Sequence, residues 1–312
     1  MSMENQTTVT EFILLGLSSD PQMQIFLFLV FSVIYLITLV GNIVIMVVIR
    51  TDSQLHTPMY FFLFHLSFVD IWYSSVTVPK MLINFLAEEK TISFNNCIVQ
   101  MFFFFLLAGT EVFILSAMAY DRYVAICDPL HYVDAMNKEI WVQLVSGAWT
   151  TGFFYALINT VFAFKLHFCG PNQISHFSCE LPPLLQLSCT DTLTNQVVLL
   201  SSVMILGLSS FIFTLISYIH IISTVLKIRS AEGRHKAFST CSSHLIVVGL
   251  LYLTAFFQYT KPSSVSSLLL DEMFSLQYSI LTPMLNPIIY SLKNKEVKRA
   301  LRNILGKFKF LS

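Results

Sequence analysis

The sequence predicts an all-α integral membrane protein, a bundle of seven transmembrane helices followed by a short amphipathic C-terminal helix. Of its 312 residues, 55% are hydrophobic and 12% are charged, with a mean hydropathy of +0.70. Soluble domains carry about 25% charged residues. Seven stretches reach the roughly 20 residues that a helix needs to cross a bilayer. No internal repeat or appended soluble domain is visible, so we expect a single bundle.

The seven spans follow one another through short polar connections, except for a long loop near 163–195. The fourth and seventh are the least uniform in composition. Residues 1–24 lack the basic and apolar regions of a cleavable signal peptide, so we expect the first span to direct membrane insertion. The predicted organisation is a tail at 1–24, the bundle at 25–292, and an amphipathic helix and tail at 293–312. The spans run at 25–49, 58–82, 98–121, 140–162, 196–226, 237–259 and 271–292.

Lysine and arginine indicate the orientation, because positive residues are retained on the cytoplasmic side. With the N-terminus outside, 14 of the 18 Lys and Arg face the cytoplasm, and the other four are Lys80, Lys90, Lys165 and Lys261. We therefore predict a multi-pass protein of the plasma membrane with an extracellular N-terminus. The zero net charge conceals this asymmetry and gives no reason to expect a nucleic-acid partner.

The six cysteines divide between the two sides of the membrane. In this orientation Cys127 and Cys241 lie at the reducing inner face, and the other four lie outside, where oxidation is possible. Four cysteines allow three pairings, and spacing does not choose among them. Four free thiols are the alternative. On the same outer side, Asn5 begins the sequon Asn-Gln-Thr, which predicts glycosylation.

Two acids lie near the middle of the predicted membrane, where an ionisable group carries a free-energy cost of several kcal/mol. At a rise of 1.5 Å per residue, Asp70 is roughly 18 Å and Glu111 roughly 16 Å from the inner face. Two bare carboxylates at one depth would repel each other, so we predict that they share a proton or a cation such as Na⁺. The alternative is two separate protonated acids, each bonded to a neighbour.

The seventh span contains the stretch PMLNPIIY, in which Pro283 and Pro287 each remove a backbone donor. Such a helix is tolerated in a membrane only if neighbouring groups satisfy the freed carbonyls. Asn286 and Tyr290 share a face, and we expect them to do this. Gly41–Asn42 in the first span suits close helix packing. A polar interior with a breakable helix suggests two packings rather than a static anchor.

Two sets of landmarks run along nearly the whole chain. The first consists of Asn42, Asp70, Cys97, Asp121-Arg122-Tyr123, Trp149, Cys179, Tyr218 and Asn286-Pro287 with Tyr290. The second consists of LHTPMYFFL (55–63), MAYDRYVAIC (118–127), SY (217–218), KAFSTCSSHL (236–245) and PMLNPIIYSLKN (283–294). In order and spacing, the first set resembles rhodopsin-like (class A) G-protein-coupled receptors. The second resembles odorant (olfactory) receptors in particular.

The resemblance implies a switch at the cytoplasmic end of the third helix. Asp121 would hold Arg122 in the resting state. Ligand binding would move the sixth helix outward, and Arg122 would help to form a cavity for a G protein. An exposed acid–base pair is worth about 1 kcal/mol, which a ligand can overcome. A plain juxtamembrane ion pair is the alternative. The implied coupling residues are Asp121, Arg122, Tyr123, Tyr218, Asn286, Pro287 and Tyr290.

The resemblance also implies partners and location. It selects the disulfides Cys97–Cys179 and Cys169–Cys189, and it supports the shared site at Asp70 and Glu111. It implies an odorant ligand, a stimulatory olfactory-type heterotrimeric G protein that raises cAMP, and a location in the cilia of olfactory sensory neurons. No enzyme activity and no cofactor are expected, apart from Na⁺ as an allosteric ion.

The ligand class follows from the stretch MFFFFLLAG at 101–109, which contains no acid or base. A buried ammonium group needs a partner, so we expect a hollow without a counter-ion and a small, neutral, mostly hydrophobic ligand. Residues of this stretch and positions carried over from the family form the predicted pocket. They are Phe104, Phe105, Ala108, Gly109, Val112, Leu181, Ser202, Val203, Leu206, Tyr252, Ala255, Phe256, Tyr259 and Ser279.

The C-terminal tail repeats apolar residues among basic ones, which predicts a short helix lying on the inner membrane leaflet. Its predicted partner is membrane lipid. The apolar positions are Val297, Leu301, Ile304, Leu305 and Phe308.

Two other function classes compete with this interpretation. A transporter would be expected to have repeated halves or a polar pathway, and neither is visible. An intramembrane enzyme needs a nucleophile–base or metal set at one depth, and the histidines show no such spacing. Among receptors, one for a small non-odorant metabolite is the alternative, which tissue expression would distinguish.

Overall fold

The computed structural model describes residues 9–260 and 268–309. Within them, seven long helical segments pack side by side, and the predicted fold class is confirmed. The helices are α1 (Pro21–Thr51), α2 (Pro58–Leu86), α3 (Phe94–Cys127), α4 (Tyr132–Ala135), α5 (Lys138–Phe164), α6 (Leu181–Gln186), α7 (Leu193–Lys227), α8 (Ala231–Thr260), α9 (Leu268–Leu276), α10 (Thr282–Lys293) and α11 (Lys295–Lys309).

The long helices extend beyond the stretches that hydropathy identified, and polar side chains cap the N-terminal ends of α1, α3 and α5. Asp20 accepts a hydrogen bond from the backbone N–H of Met23 at 3.0 Å and begins α1. Asn137 does the same for Ile140 at the start of α5. Such caps satisfy the orphan N–H groups of a first helical turn. Considered singly, four helices in the described ranges are long and apolar enough to cross a membrane, and these are α1, α2, α3 and α7.

The seventh segment is not a uniform helix. Between α9 and α10 it contains one π-helical turn, Gln277–Leu281. A π turn holds one more residue than an α turn and shifts the side-chain register that follows it. This shift determines which side chains of the segment face the interior.

Pro287 leaves a backbone carbonyl of α10 without its helical donor, because a proline has no N–H to give to residue 283. The side-chain amide of Asn42 donates to the carbonyl of Pro283 at 3.0 Å. The expectation that Asn286 and Tyr290 satisfy this group is therefore wrong, since the donor comes from α1. Close approach permits the contact: a Cβ on Gly41 would lie 3.1 Å from the Pro287 ring.

Helix α3 lies at the centre of the bundle and contacts α2, α5, α7 and α8. Its closest neighbour is α5, where Gly152 faces the carbonyl of Leu106 and the hydroxyl of Thr110. A Cβ on Gly109 would lie 3.0 Å from the Cα of Gly152. Two glycines thus let the backbones of α3 and α5 meet.

One end of the bundle, called the disulfide end below, is covered by a small sheet and a loop. In the described chain the sheet has the order β2–β1–β3, with strands β1 (Glu11–Leu14), β2 (Thr91–Ser93) and β3 (Gln173–Ile174). Strand β1 pairs antiparallel to β2 and parallel to β3. The tail predicted at 1–24 therefore contributes the central strand, while Asn5 lies outside the described residues.

Both disulfides implied by the resemblance are present. Cys97 at the start of α3 is bonded to Cys179, and Cys169 is bonded to Cys189. They hold the connection between α5 and α7, called the lid loop below (residues 165–192), over the disulfide end. The opposite end carries Arg122 and is called the Arg122 end.

The α3–α5 contact gives a test of packing. We expect Gly152→Ala to lower the free energy of unfolding by about 1–3 kcal/mol, because the new methyl group would overpack the contact with a fixed backbone carbonyl. Thermal unfolding of the purified protein and its yield at the cell surface measure the effect. Gly147→Ala is the matched control, because a Cβ on Gly147 in the same helix meets no atom within 4 Å. Equal behaviour of the two variants would contradict the packing argument.

Candidate functional site

A cavity of about 200 Å³ lies between α3, α7, α8 and the seventh segment, below the lid loop. Phe105 is 5% exposed, and its ring packs 5.2 Å from Tyr155. Phe104 packs 5.6 Å from Tyr278. Both phenylalanines thus face the interior. Eleven of the predicted pocket residues line the cavity: Phe104, Phe105, Ala108, Gly109, Val112, Leu181, Ser202, Val203, Leu206, Tyr252 and Ala255.

Three predicted pocket residues are not among the lining residues. Phe256 is 59% exposed on the outer face of α8, so its assignment to the cavity is wrong. Ser279 is buried and donates to the carbonyl of Ser275 at 2.6 Å. Its neighbour Tyr278 lines the cavity instead, so the assignment of Ser279 is also wrong. The side chain of Tyr259 lies outside the described part of the structure.

Two carboxylic acids line the cavity, and the described lining contains no Lys, Arg or His. Glu111 lies on α3 and Glu180 in the lid loop, one residue after the bridging Cys179. The expectation of a hollow without a counter-ion is therefore wrong, since carboxyl groups are present in the lining. Tyrosines and small polar residues also contribute. The lining residues that the sequence did not indicate are Tyr73, Phe113, Tyr155, Glu180, Pro182, Leu199, Gly207, Leu251, Thr254 and Tyr278.

Glu180 joins the lid loop to the seventh segment. Its carboxylate accepts a hydrogen bond from the Tyr278 hydroxyl at 2.6 Å and another from the Ser275 hydroxyl. Within the lid loop it accepts from the Ser178 hydroxyl at 3.1 Å, and Nε2 of His176 lies 3.9 Å away. Three hydroxyl donors can stabilise a buried carboxylate. The network fixes the roof of the cavity over α9.

Below the cavity, Asp70 is fully buried, and the amide of Asn286 donates to its two carboxylate oxygens at 3.1 and 3.0 Å. Glu111 is 1% exposed and lies close enough to interact electrostatically with Asp70. The structure therefore brings the two acids together with Asn286. Three helical segments meet here through polar side chains.

At the Arg122 end, Asp121 is 3% exposed and accepts a hydrogen bond from the Tyr132 hydroxyl at 2.8 Å. It also lies within electrostatic reach of Arg122. Burial raises the pKa of Tyr132, so the hydroxyl stays protonated and remains a donor. In the loop before α4, the hydrogen bond to Asp128 raises the pKa of the exposed His131. The sequence did not indicate that Tyr132 contacts Asp121.

The tyrosine hydroxyls at this end differ in their hydrogen-bond partners. The hydroxyl of Tyr218 lies 2.6 Å from Nδ1 of His244, whose Nε2 lies 2.9 Å from the carbonyl of Leu115. The buried hydroxyl of Tyr290 has no hydrogen-bond partner within the described residues. The ring of Tyr123 packs 5.6 Å from the ring of His220 and against the buried cluster that contains Tyr218.

Comparisons with known proteins decide the family. The family model "Olfactory receptor" matches residues 31–307. The mouse protein "Olfactory receptor 5G9" is 50% identical over 312 residues, which cover 99% of this chain and 98% of that protein. The human protein "Olfactory receptor 9G4" is 51% identical over 302 residues, covering 97% and 92%. The chain belongs to the olfactory receptor family.

This receptor also has the rhodopsin fold. The crystal structure of squid rhodopsin matches with a TM-score of 0.68 at 16% identity, covering 93% of this chain and 87% of that one. Olfactory receptors are multi-pass membrane receptors that act through heterotrimeric G proteins, and they are not enzymes. The cavity is thus the candidate ligand site of this receptor, and the Arg122 end is the candidate site for the G protein.

The contact between Glu180 and the seventh segment can be tested. We expect Glu180→Gln to lower the thermal unfolding temperature of the purified, ligand-free receptor by several degrees. An amide keeps the volume but loses charge-assisted hydrogen bonds, which are worth about 1.5–3 kcal/mol. Glu88→Gln is the control, because Glu88 is exposed in the loop after α2. An unchanged melting temperature for Glu180→Gln would show that the network does not hold the roof.

Proposed function

We propose that this receptor binds a small, neutral, mostly hydrophobic odorant in the cavity and activates a stimulatory, olfactory-type G protein, raising cAMP. The disulfide end is extracellular and the Arg122 end cytoplasmic, in the plasma membrane of sensory cilia. The observation that carries the proposal is that one helix, α3, lines the cavity at Phe104 and Phe105 and reaches Asp121 and Arg122 at its other end.

The walls of the cavity favour a hydrophobic ligand. Aromatic and aliphatic side chains dominate the lining, and burial of apolar surface is worth about 25 cal/mol per Å². A volume of about 200 Å³ limits the ligand to a small molecule. The Glu180 carboxylate already accepts three hydroxyl hydrogen bonds, so it does not require a ligand cation.

The loop around α4 supports a docking site for the G protein. Leu130 is 90% exposed and Val133 is 78% exposed, and both lie beside Tyr132. Exposed large apolar side chains at one place indicate an interaction surface. Tyr132 donates to Asp121, so a partner that binds this loop also acts on the acid next to Arg122.

The mechanism is a shift between two packings of the bundle. In the structure, Tyr132 holds Asp121 and His244 holds Tyr218. A ligand that contacts α3, α7 and α8 shifts this equilibrium only if it binds the second packing more tightly. In that packing, Tyr218 and the unbonded hydroxyl of Tyr290 turn toward Arg122 as α8 moves outward.

We further propose that Asp70 and Glu111 share Na⁺ or a proton, because two adjacent buried carboxylates repel when both are charged. Asn286, on the same segment as Pro287 and Tyr290, bonds Asp70 directly. The occupancy of this site is thereby linked to the segment that carries the switch. Helix α11 lies on membrane lipid, held to the bundle by the buried Val297 and Ala300.

A cAMP assay in cells that express the receptor with a stimulatory G protein, screened with panels of volatiles, tests the proposed function. We expect Arg122→Ala to abolish the cAMP response and to leave surface expression largely intact. Arg50→Ala is the matched control, since Arg50 is exposed near the same end of the bundle, at the end of α1. Normal signalling by Arg122→Ala would exclude the coupling assignment.

A second test concerns the cavity. We expect Phe105→Ala to change the order of agonist potency and to shift individual half-maximal concentrations by about tenfold or more, because a buried aromatic contact worth 1.4 kcal/mol or more is lost. Phe256→Ala removes the same side chain from the outer face of α8 and should keep the potency order. If both variants leave the order unchanged, the ligand does not bind in this cavity.

A further inference from the structure

A second hollow, called the outer hollow below, lies outside the cavity, between the lid loop and the first turns of α7. Its volume is about 410 Å³. Two of the residues that line it, Pro182 and Leu199, also line the cavity. The cavity and the outer hollow are therefore separated by a common wall. The residues that line the outer hollow but not the cavity are Leu185, Gln186, Gln196 and Leu200.

The common wall is one side chain thick. Pro182 is exposed on the surface of the lid loop and yet lines the cavity. Leu199 on α7 is 9% exposed and lines both hollows from the other side. Because side chains occupy a few discrete rotamers, a rotamer change at Leu199 moves the end of this side chain without moving the backbone. Such a wall can open without unfolding a helix.

The lid loop is bonded unevenly to the helices around it. On the α3 side, the side chain of Gln100 accepts a hydrogen bond from the backbone N–H of Cys179 at 2.9 Å. Toward the seventh segment, the carboxylate of Glu180 accepts from Tyr278 and Ser275. Toward α7 the situation differs, because no hydrogen bond joins α6 to α7 in the part of the chain that the structure describes. The contact across the wall is apolar, so it can separate without leaving a donor or an acceptor unpaired.

The start of α6 contributes to this difference. Its sequence is LPPLLQ, and the two prolines of its first turn have no N–H to donate to a neighbouring helix. The lid loop is thus anchored by the disulfides and by Glu180, while its edge at α7 is the part that can move with the fewest bonds broken.

We infer that the outer hollow is the entrance to the cavity and that Pro182 and Leu199 form its gate. The inference rests on the proposed function and adds the route by which a small, neutral, mostly hydrophobic odorant reaches its site. The chemistry of the route fits this ligand, since Leu185 and Leu200 line the approach from the two sides. A charged molecule would have to lose its water between apolar side chains, at a large free-energy cost.

The experiment measures how fast a small neutral reagent reaches a thiol inside the cavity. In the receptor with Cys127→Ser and Cys241→Ser, which removes the two free cysteines, Ala108→Cys places a single thiol in the cavity lining. Ethyl methanethiosulfonate, which is uncharged and of odorant size, converts this thiol to a mixed disulfide and releases methanesulfinate. The reagent reacts rapidly with free thiols, so passage into the cavity limits the rate. The mass of the intact, purified receptor follows the reaction.

Three variants in this background test the route. Leu200→Trp and Leu185→Trp enlarge residues that line the outer hollow but not the cavity, one from each side. We expect each to slow labelling by about tenfold, which corresponds to about 1.4 kcal/mol of additional barrier. Leu199→Ala removes part of the gate and should speed labelling. Ile205→Trp is the matched control and should leave the rate unchanged, because Ile205 is 66% exposed on the same helix and lines neither hollow.

The contrary outcomes are distinct. Labelling rates that stay unchanged in both tryptophan variants of the outer hollow show that molecules enter elsewhere, and they overturn the inference. Equal slowing by Ile205→Trp also overturns it, since the effect then does not depend on the outer hollow. A folded receptor that is not labelled, although its thiol reacts after unfolding, excludes any entrance for a molecule of this size. Labelling needs neither an agonist nor a G protein, so these results leave the proposed function standing. Conversely, a receptor that is labelled as expected but responds to no volatile in the cAMP assay refutes the proposed function and retains the route.

Discussion

A polar group in the interior of a membrane has no bulk water to pair with, so most of its partners must come from the protein itself. This constraint explains the arrangement of the bundle. The Pro283 carbonyl, released by Pro287, is paired by Asn42 from α1. Asp70 on α2 is paired by Asn286 on α10, and Tyr218 on α7 by His244 on α8. Each of these hydrogen bonds joins two helices. The carbonyl freed by a proline and the buried acid therefore help to hold the bundle together.

The same constraint separates the two ends of α3. Near the disulfide end, α3 presents rings to a cavity whose polar atoms are mostly committed to protein partners. Near the other end, it presents Asp121 to a hydroxyl from a surface loop. The hydroxyl that bonds Asp121 can be exchanged for another partner, whereas the middle of α3 is packed against α5 through Gly109 and Gly152. A rigid middle with exchangeable bonds at one end suits a helix that transmits a change in packing.

The sequence predicted the seven-helix class, the inward face of α3 and the meeting of Asp70 with Glu111, because each depends on hydropathy or on rise per residue. Features that depend on tertiary contacts could not be predicted from the sequence. Glu180 belongs to a loop without periodicity. Tyr278 rather than Ser279 lines the cavity, and both lie in a π turn that no local sequence pattern marks. Strand β1 is four residues long and forms only against β2 and β3. The donor to Pro283 comes from 241 positions away.

The position of β1 in the middle of its sheet has a consequence for biosynthesis. The strand is among the first parts of the chain to be made, yet its parallel neighbour β3 follows the fourth membrane segment. The edge of residues 11–14 that pairs with β3 must therefore wait until more than half of the chain has emerged, whereas β2, the partner of the other edge, is made earlier. Assembly of the roof is consequently a late event, and peptide tags fused near the start of the chain have to leave this short stretch free to enter between its two partners.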